Sequence, residues 1–81
     1  MIRLKDYINV DKKVLSGQPV FLGTRVPVES LFWHLEKGYS IEDFIKDFPT
    51  VSKQQAIAVV EIAGNIMSSQ DISKVYAATA A

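Results

Sequence analysis

The stretch Gly17-Gln18-Pro19-Val20-Phe21-Leu22-Gly23-Thr24-Arg25-Val26-Pro27-Val28 decides how the rest of the chain is read. Val20-Phe21-Leu22 is a short β-type run, and Ser16-Gly17-Gln18-Pro19 before it is turn chemistry. Gly23-Thr24 breaks the run. A positive φ or a close backbone approach is expected at Gly23, which only glycine permits cheaply. The two prolines and two glycines stiffen the segment, and it presents one cation, Arg25. Val26-Pro27 is expected to start the first helix, since proline suits a first turn where its missing N–H would be unpaired anyway.

Working outward, residues 1–11 read as an extended arm, with Ile2, Leu4, Ile8 and Val10 evenly spaced and charges between them, a period that suits a strand with one covered face. Asp11 to Leu15 has room for one helical turn. Downstream, Val28, Leu31, Phe32 and Leu35 recur at i, i+3, i+4, i+7, and Gly38 is placed to cap that helix in a left-handed conformation. Ser40-Ile41-Glu42-Asp43 opens a second helix, with Ile41, Phe44, Ile45 and Phe48 as its apolar face and Pro49 as its stop. Ser52-Lys53-Gln54-Gln55 is a capping box for a third helix that runs to about Met67 or Ser69.

The expected fold is mainly α: a short N-terminal β-type arm or hairpin (1–27), then a trihelical, helix-turn-helix body (28–69) and a flexible alanine-rich tail (70–81), one domain overall. At 81 residues and 48% hydrophobic the chain is apolar for its size. A body this small buries only about 60–65% of its unfolded surface. The third helix sharpens the point, because Ala56, Ile57, Val59, Val60, Ile62, Ala63, Ile66 and Met67 cover more than the one stripe expected of a surface helix. Either that helix sits centrally, or its far side packs on a second copy or another partner. Trp33 lies off the apolar face of the first helix and is an interface anchor or a residue covered by the arm. Trp33, Val59, Val60, Ala63 and Met67 are therefore the candidate partner or dimer residues.

The charge is lopsided. The net formal charge is zero, but residues 1–27 carry five cations against two acids and residues 28–81 carry four against seven. A basic lead-in suits an anionic partner. In a helix-turn-helix the second helix of the pair aims its first residues at base edges, and glutamine and lysine are suited to adenine and guanine or phosphate. Lys12, Lys13, Thr24, Arg25, Lys53 and Gln54 are the candidate DNA-binding residues. Arg25 has a competing structural reading as the partner of Glu29.

Catalysis finds little to work with. His34, the single histidine, has neither a nucleophile nor a metal ligand at helical spacing. Glu42, Asp43 and Asp47 share a helical flank that reads as a solvated face. No phosphate-cradling motif follows Gly17 or Gly23. There are no cysteines, no apolar run after the first charges to make a signal peptide, and no stretch long enough to cross a bilayer. The expectation is a cytoplasmic, non-enzymatic protein without cofactor, metal or membrane contact.

The blocks Gly17-Gln18-Pro19-Val20-Phe21, Gly23-Thr24-Arg25-Val26-Pro27-Val28 and Phe48-Pro49-Thr50-Val51-Ser52, with a glycine before the second helix and a proline before the third, give the chain a likeness to a known group. From about Asp11 to Met67 it resembles the small bacterial family called domain of unknown function 433, which has been linked to VapB-like antitoxins. That resemblance implies a homeodomain-like trihelical fold with a β-type lead-in. It implies a toxin–antitoxin role in which the protein neutralises a PIN-like nuclease and, as a homodimer, binds operator DNA. It marks Gly23, Thr24 and Arg25 as signature positions. The contrasting reading is a protein-interaction module that never touches DNA.

Overall fold

The computed structural model describes residues 3–79, so Ile2 of the arm and Ala80-Ala81 of the tail lie outside the described residues. Two short strands, β1 (Ile8–Asn9) and β2 (Val20–Phe21), precede four helices, α1 (Val28–Glu36), α2 (Ile41–Asp47), α3 (Lys53–Met67) and α4 (Asp71–Thr79). The chain is thus mainly helical behind a short antiparallel hairpin, as the sequence indicates.

The lead-in is more folded than a plain arm. A 3-10 turn over Leu4–Asp6 interrupts it, and only Ile8 and Asn9 pair, opposite Phe21 and Val20. The even apolar spacing of residues 1–11 is therefore not one continuous strand. β2 is flanked on its other side by the segment after the signature turn. Val20 bridges Pro27, the Phe21 N–H donates to the Val26 carbonyl at 3.0 Å, and the Val28 N–H donates to the Pro19 carbonyl at 3.0 Å. Val20 and Phe21 are consequently both buried.

The link between the strands is left-handed at three successive residues: Leu15 (φ 48°), Ser16 (φ 57°) and Gly17 (φ 88°). Only the last is a glycine. Each L residue in that region costs about 1–2 kcal/mol, and the turn is held by Gly17 N–H to Val14 C=O at 3.0 Å and Gln18 N–H to Leu15 C=O at 3.1 Å.

The helix boundaries follow the caps. Pro27 has extended backbone (φ −62°, ψ 136°) and caps α1, so the helix begins at Val28, one residue later than expected from Val26-Pro27. At the other end Gly38 takes φ 87°, with its N–H on Leu35 C=O at 3.0 Å and the Tyr39 N–H on His34 C=O at 2.9 Å. That pair of bonds is a Schellman cap. Both capping boxes form, Ser40 with Asp43 and Ser52 with Gln55.

The core is one cluster of Phe21, Leu31, Phe44, Val51, Ala56 and Val59, flanked by Tyr7, Ile8, Phe32, Ile45, Phe48 and Val60 among others. α2 packs on both α1 and α3, so the three helices close around Phe44. Two expectations need correction here. Val59 is 5% exposed and belongs to the chain's own core rather than to an interface, and Val60 packs against that core. The trihelical body expected over 28–69 is followed by a fourth helix, Asp71–Thr79, within the segment expected as a flexible tail.

These observations predict opposite responses at two left-handed positions. Gly23→Ala meets no atom within 4 Å, so its penalty is purely conformational, about 1–2 kcal/mol, or roughly 4–8 °C in Tm per kcal/mol for a domain of this size. Ser16→Gly relieves a strained L residue and raises Tm, the gain reduced to about 0.5–1 kcal/mol by the extra unfolded-state entropy of glycine. Thermal unfolding of the two variants beside the parent chain checks both signs.

Candidate functional site

The signature turn is built by its own residues. The Thr24 N–H and hydroxyl both donate to the Phe21 carbonyl, at 3.0 and 2.8 Å, and the Val26 N–H donates to Thr24 Oγ1 at 3.0 Å. Gly23 takes φ 78°, the positive value a type II turn requires at its third residue. Thr24 is therefore committed to the turn and is corrected from a DNA contact to a structural residue. Arg25, next in the chain, is exposed. Among the described residues the ion pairs are His34–Asp47 and Lys53–Glu42, so the competing partnership of Arg25 with Glu29 does not form.

Sequence reasoning gave Gln55 only half of its role. Its Oε1 accepts the Ser52 N–H at 3.0 Å, closing the capping box, while its Nε2 donates to the Leu22 carbonyl at 3.0 Å. One side chain thus ties the signature turn to the first turn of α3. This brings Arg25 into the same part of the molecule as Lys53 and Gln54. Lys12 and Lys13 sit in a separate turn, where the Val14 N–H donates to Asp11 C=O at 2.9 Å and the Lys13 N–H to Asp11 Oδ1 at 2.9 Å.

The outer side of α3 is poorly suited to a polyanion. The Lys53 ammonium pairs with Glu42 at 3.0 Å, and that pairing holds the Glu42 carboxyl below its usual range. Gln54 is exposed, but the shallow groove beside it is completed by Tyr7, Ile57, Ala58 and Glu61. A reading helix would offer further cations or amides at those positions. Farther along, Ala63 is half-buried while Ile66 and Met67 are 57% and 65% exposed.

Trp33, 51% exposed, is not covered by the arm. It borders a half-open pocket of about 270 Å³ with Ser30, His34, Lys37, Tyr39 and Phe48. His34, one of its lining residues, stands edge-on to Phe44 (5.3 Å between centroids, 80°) and to Phe48 (5.8 Å, 74°). Its Nδ1 lies 2.8 Å from the Ser30 carbonyl oxygen and its Nε2 lies 3.0 Å from Asp47 Oδ2. Both ring nitrogens face acceptors, an arrangement fully satisfied only by the doubly protonated ring. The Asp47 hydrogen bond and then the Ser30 carbonyl push the His34 pKa upward, opposed by desolvation and, more weakly, by Lys37. His34 is thus a clamp between α1 and α2.

Two outcomes follow for stability. The raised His34 pKa adds stability that is fully present below its ordinary value of about 6.5 and is lost as pH rises through the folded value. The Tm advantage of the parent chain over His34→Gln is therefore largest near pH 5.5–6 and shrinks toward pH 8.5, read by thermal unfolding across that range. For Gln55, urea unfolding orders the variants: Gln55→Glu keeps the capping acceptor, favoured by the helix N-terminus, but must turn its second oxygen away from the Leu22 carbonyl, whereas Gln55→Ala loses both bonds and costs the more, about 1–2 kcal/mol.

Among the described residues no group of three His, Cys, Asp or Glu side chains is placed to hold a metal ion, and no helix is long and apolar enough to cross a membrane. Comparison with curated proteins and with solved structures gives no match. The family model described as Protein of unknown function (DUF433) matches residues 8–63, which takes in both strands, the signature turn, α1, α2 and most of α3. The chain belongs to the DUF433 family.

Proposed function

We propose that this chain is a non-catalytic, antitoxin-like protein of the cytoplasm that neutralises a PIN-like nuclease by docking it on α4 and the adjoining end of α3. The observation behind this reading is α4 itself. The helix has nine residues, none of them buried, and isolated helices shorter than about 12–15 residues are marginal in water. Val75 and Tyr76 are 55% and 73% exposed, as are Ile66 and Met67 (57% and 65%) at the end of α3, the helix that α4 contacts. A docked protein supplies the burial that the chain's own core does not. α4 and the last residues of α3 carry one acid and one base, Asp71 and Lys74, so this surface docks by apolar contact rather than by charge. The toxin–antitoxin link of the family resemblance supplies the nuclease class. His34, with both ring nitrogens engaged in the fold, supports a non-catalytic role.

A second reading, operator DNA bound by a homodimer, has one observation in its favour: Arg25 is exposed just after the signature turn, free of any ion pair among the described residues. The composition of α3's outer side favours the protein-docking reading over it.

Co-expression with the product of the flanking gene, followed by an RNA-cleavage assay, tests the first reading. A stable complex with cleavage suppressed is expected, and Val75→Asp with Tyr76→Asp weakens it by about thirtyfold or more, the ~2 kcal/mol of an interface hot spot. Since both residues are exposed, the double variant keeps its unfolding free energy within about 0.5 kcal/mol per site. A complex indifferent to these changes refutes docking on α4. For the DNA reading, a gel shift on the upstream region that weakens steeply between roughly 50 and 200 mM salt, and in Arg25→Ala, supports phosphate contact; no shift at low salt removes it.

A further inference from the structure

β1 pairs on one side only. The sheet order is β1-β2, and β2 is closed on its far side by Val26 and Pro27, so the outer edge of β1 is the free edge of the lead-in. In an antiparallel pair the residues alternate between those that exchange hydrogen bonds and those that do not. The Leu22 N–H donates to Tyr7 C=O at 2.9 Å and the Phe21 N–H is taken by Val26. Ile8, opposite Phe21, is thereby a non-bonded position of this ladder, and its N–H and C=O point outward, as do those of Val10 by the same alternation. Neither N–H has a backbone acceptor among the described residues.

Natural sheets blunt such edges with lysine, proline or bulges, and none of these stands at Ile8-Asn9-Val10. The edge is instead flanked by apolar surface. Leu4, Val10 and Leu22 are 44%, 61% and 44% exposed, and with Lys5, Ile8 and Asn9 they line a shallow groove of about 490 Å³.

We propose that this edge pairs antiparallel with the same edge of a second copy, about a two-fold axis through Asn9. The occupant is chosen by self-complementarity. In that register Ile8 and Val10 of one copy exchange N–H and C=O groups with Val10 and Ile8 of the other, using the outward groups of both. Val10 is brought beside Ile8 of the second copy, a β-branched cross-strand pair on one face. Asp6, closing the 3-10 turn, and Lys12, in the Asp11–Val14 turn, flank the extended residues on either side and are opposite in sign, so the two-fold axis brings unlike charges to both ends of the paired edge. Lys5 and Lys13 lie in those same two turns, outside the strand register, and are exposed, where solvent screens their like charges. The result is a continuous sheet through both lead-ins, a dimer independent of α4 and of the nuclease reading.

Asn9 meets Asn9 of the second copy at a non-bonded position, where Cα atoms lie about 4.5 Å apart, inside the range a disulfide spans. The chain has no cysteine, so Asn9→Cys carries a single thiol. The expected result is rapid disulfide-linked dimer under mild oxidation, with Gln54→Cys as the slow control. In sedimentation equilibrium the parent chain is expected to reach twice its 9.0 kDa mass as concentration rises. Val10→Pro, which removes an outward N–H, abolishes both signals. Asp6→Lys or Lys12→Asp weakens the dimer and the two together restore it, a rescue that loss of folding does not mimic. A monomer up to about millimolar concentration overturns the proposal. So does a dimer that persists in Val10→Pro, or an Asn9→Cys chain that crosslinks no faster than the control, either of which moves the contact to the helices or to a foreign strand.

Discussion

The lead-in has no core of its own, and its deepest attachment to the helices is one side chain. Phe21 projects from a two-residue strand, is wholly buried, and sits 5.7 Å from the Phe44 ring. An isolated hairpin is marginal at best in water, so β1, β2 and the signature turn hold their shape only because Phe21 shares the cluster that α1, α2 and α3 close around. Phe44 in turn meets Phe48 at 5.1 Å and His34 at 5.3 Å. One aromatic run thus connects the lead-in to the His34–Asp47 clamp on the far side of α2. The Gln55 bond to Leu22 adds direction to this burial: Phe21 anchors the turn, and Gln55 fixes which way it faces relative to α3.

Much of the body was legible in the sequence because its signals are local. Ser40 with Asp43 and Ser52 with Gln55 are three-residue motifs whose partners are set by helix geometry, and both boxes close as read. Gly38 and Pro27 punctuate α1 to within a residue for the same reason. The parts that were not legible depend on distant partners. Nothing near Gln55 in sequence announces a bond to a carbonyl 33 residues earlier, and His34 acquires its meaning only from Asp47 in the next helix. Thr24 was misread because a β-turn hydroxyl and a phosphate-seeking hydroxyl look alike in a Gly-Thr-Arg string. Val59 was misread because an all-round apolar helix does not say which side meets its own core. α4 was missed because Ile72, Val75 and Tyr76 are too few to mark a stripe beside a run of alanines.

The surfaces that remain divide cleanly by character. Arg25 stands exposed just after the signature turn, the edge of β1 offers unpaired backbone beside apolar side chains, and α4 with the end of α3 offers exposed apolar side chains with little charge. They lie on different elements of the chain.

That division bears on stability as much as on function. A single small core closed around Phe21 and Phe44 leaves a modest margin, and each partner that binds only the folded state raises it by mass action. The benefit is not evenly spread. α1, α2 and the first half of α3 already share the buried cluster, with Ala56, Ala58 and Val59 as the contribution of α3. β1 and α4 lie at the two ends of the chain and contribute least to it, since Ile8 is half-buried and α4 buries no residue at all. Segments with little burial open at the lowest free energy. The ends are therefore where binding can change the order of the chain most, while the Phe21–Phe44 cluster keeps the middle folded in either state.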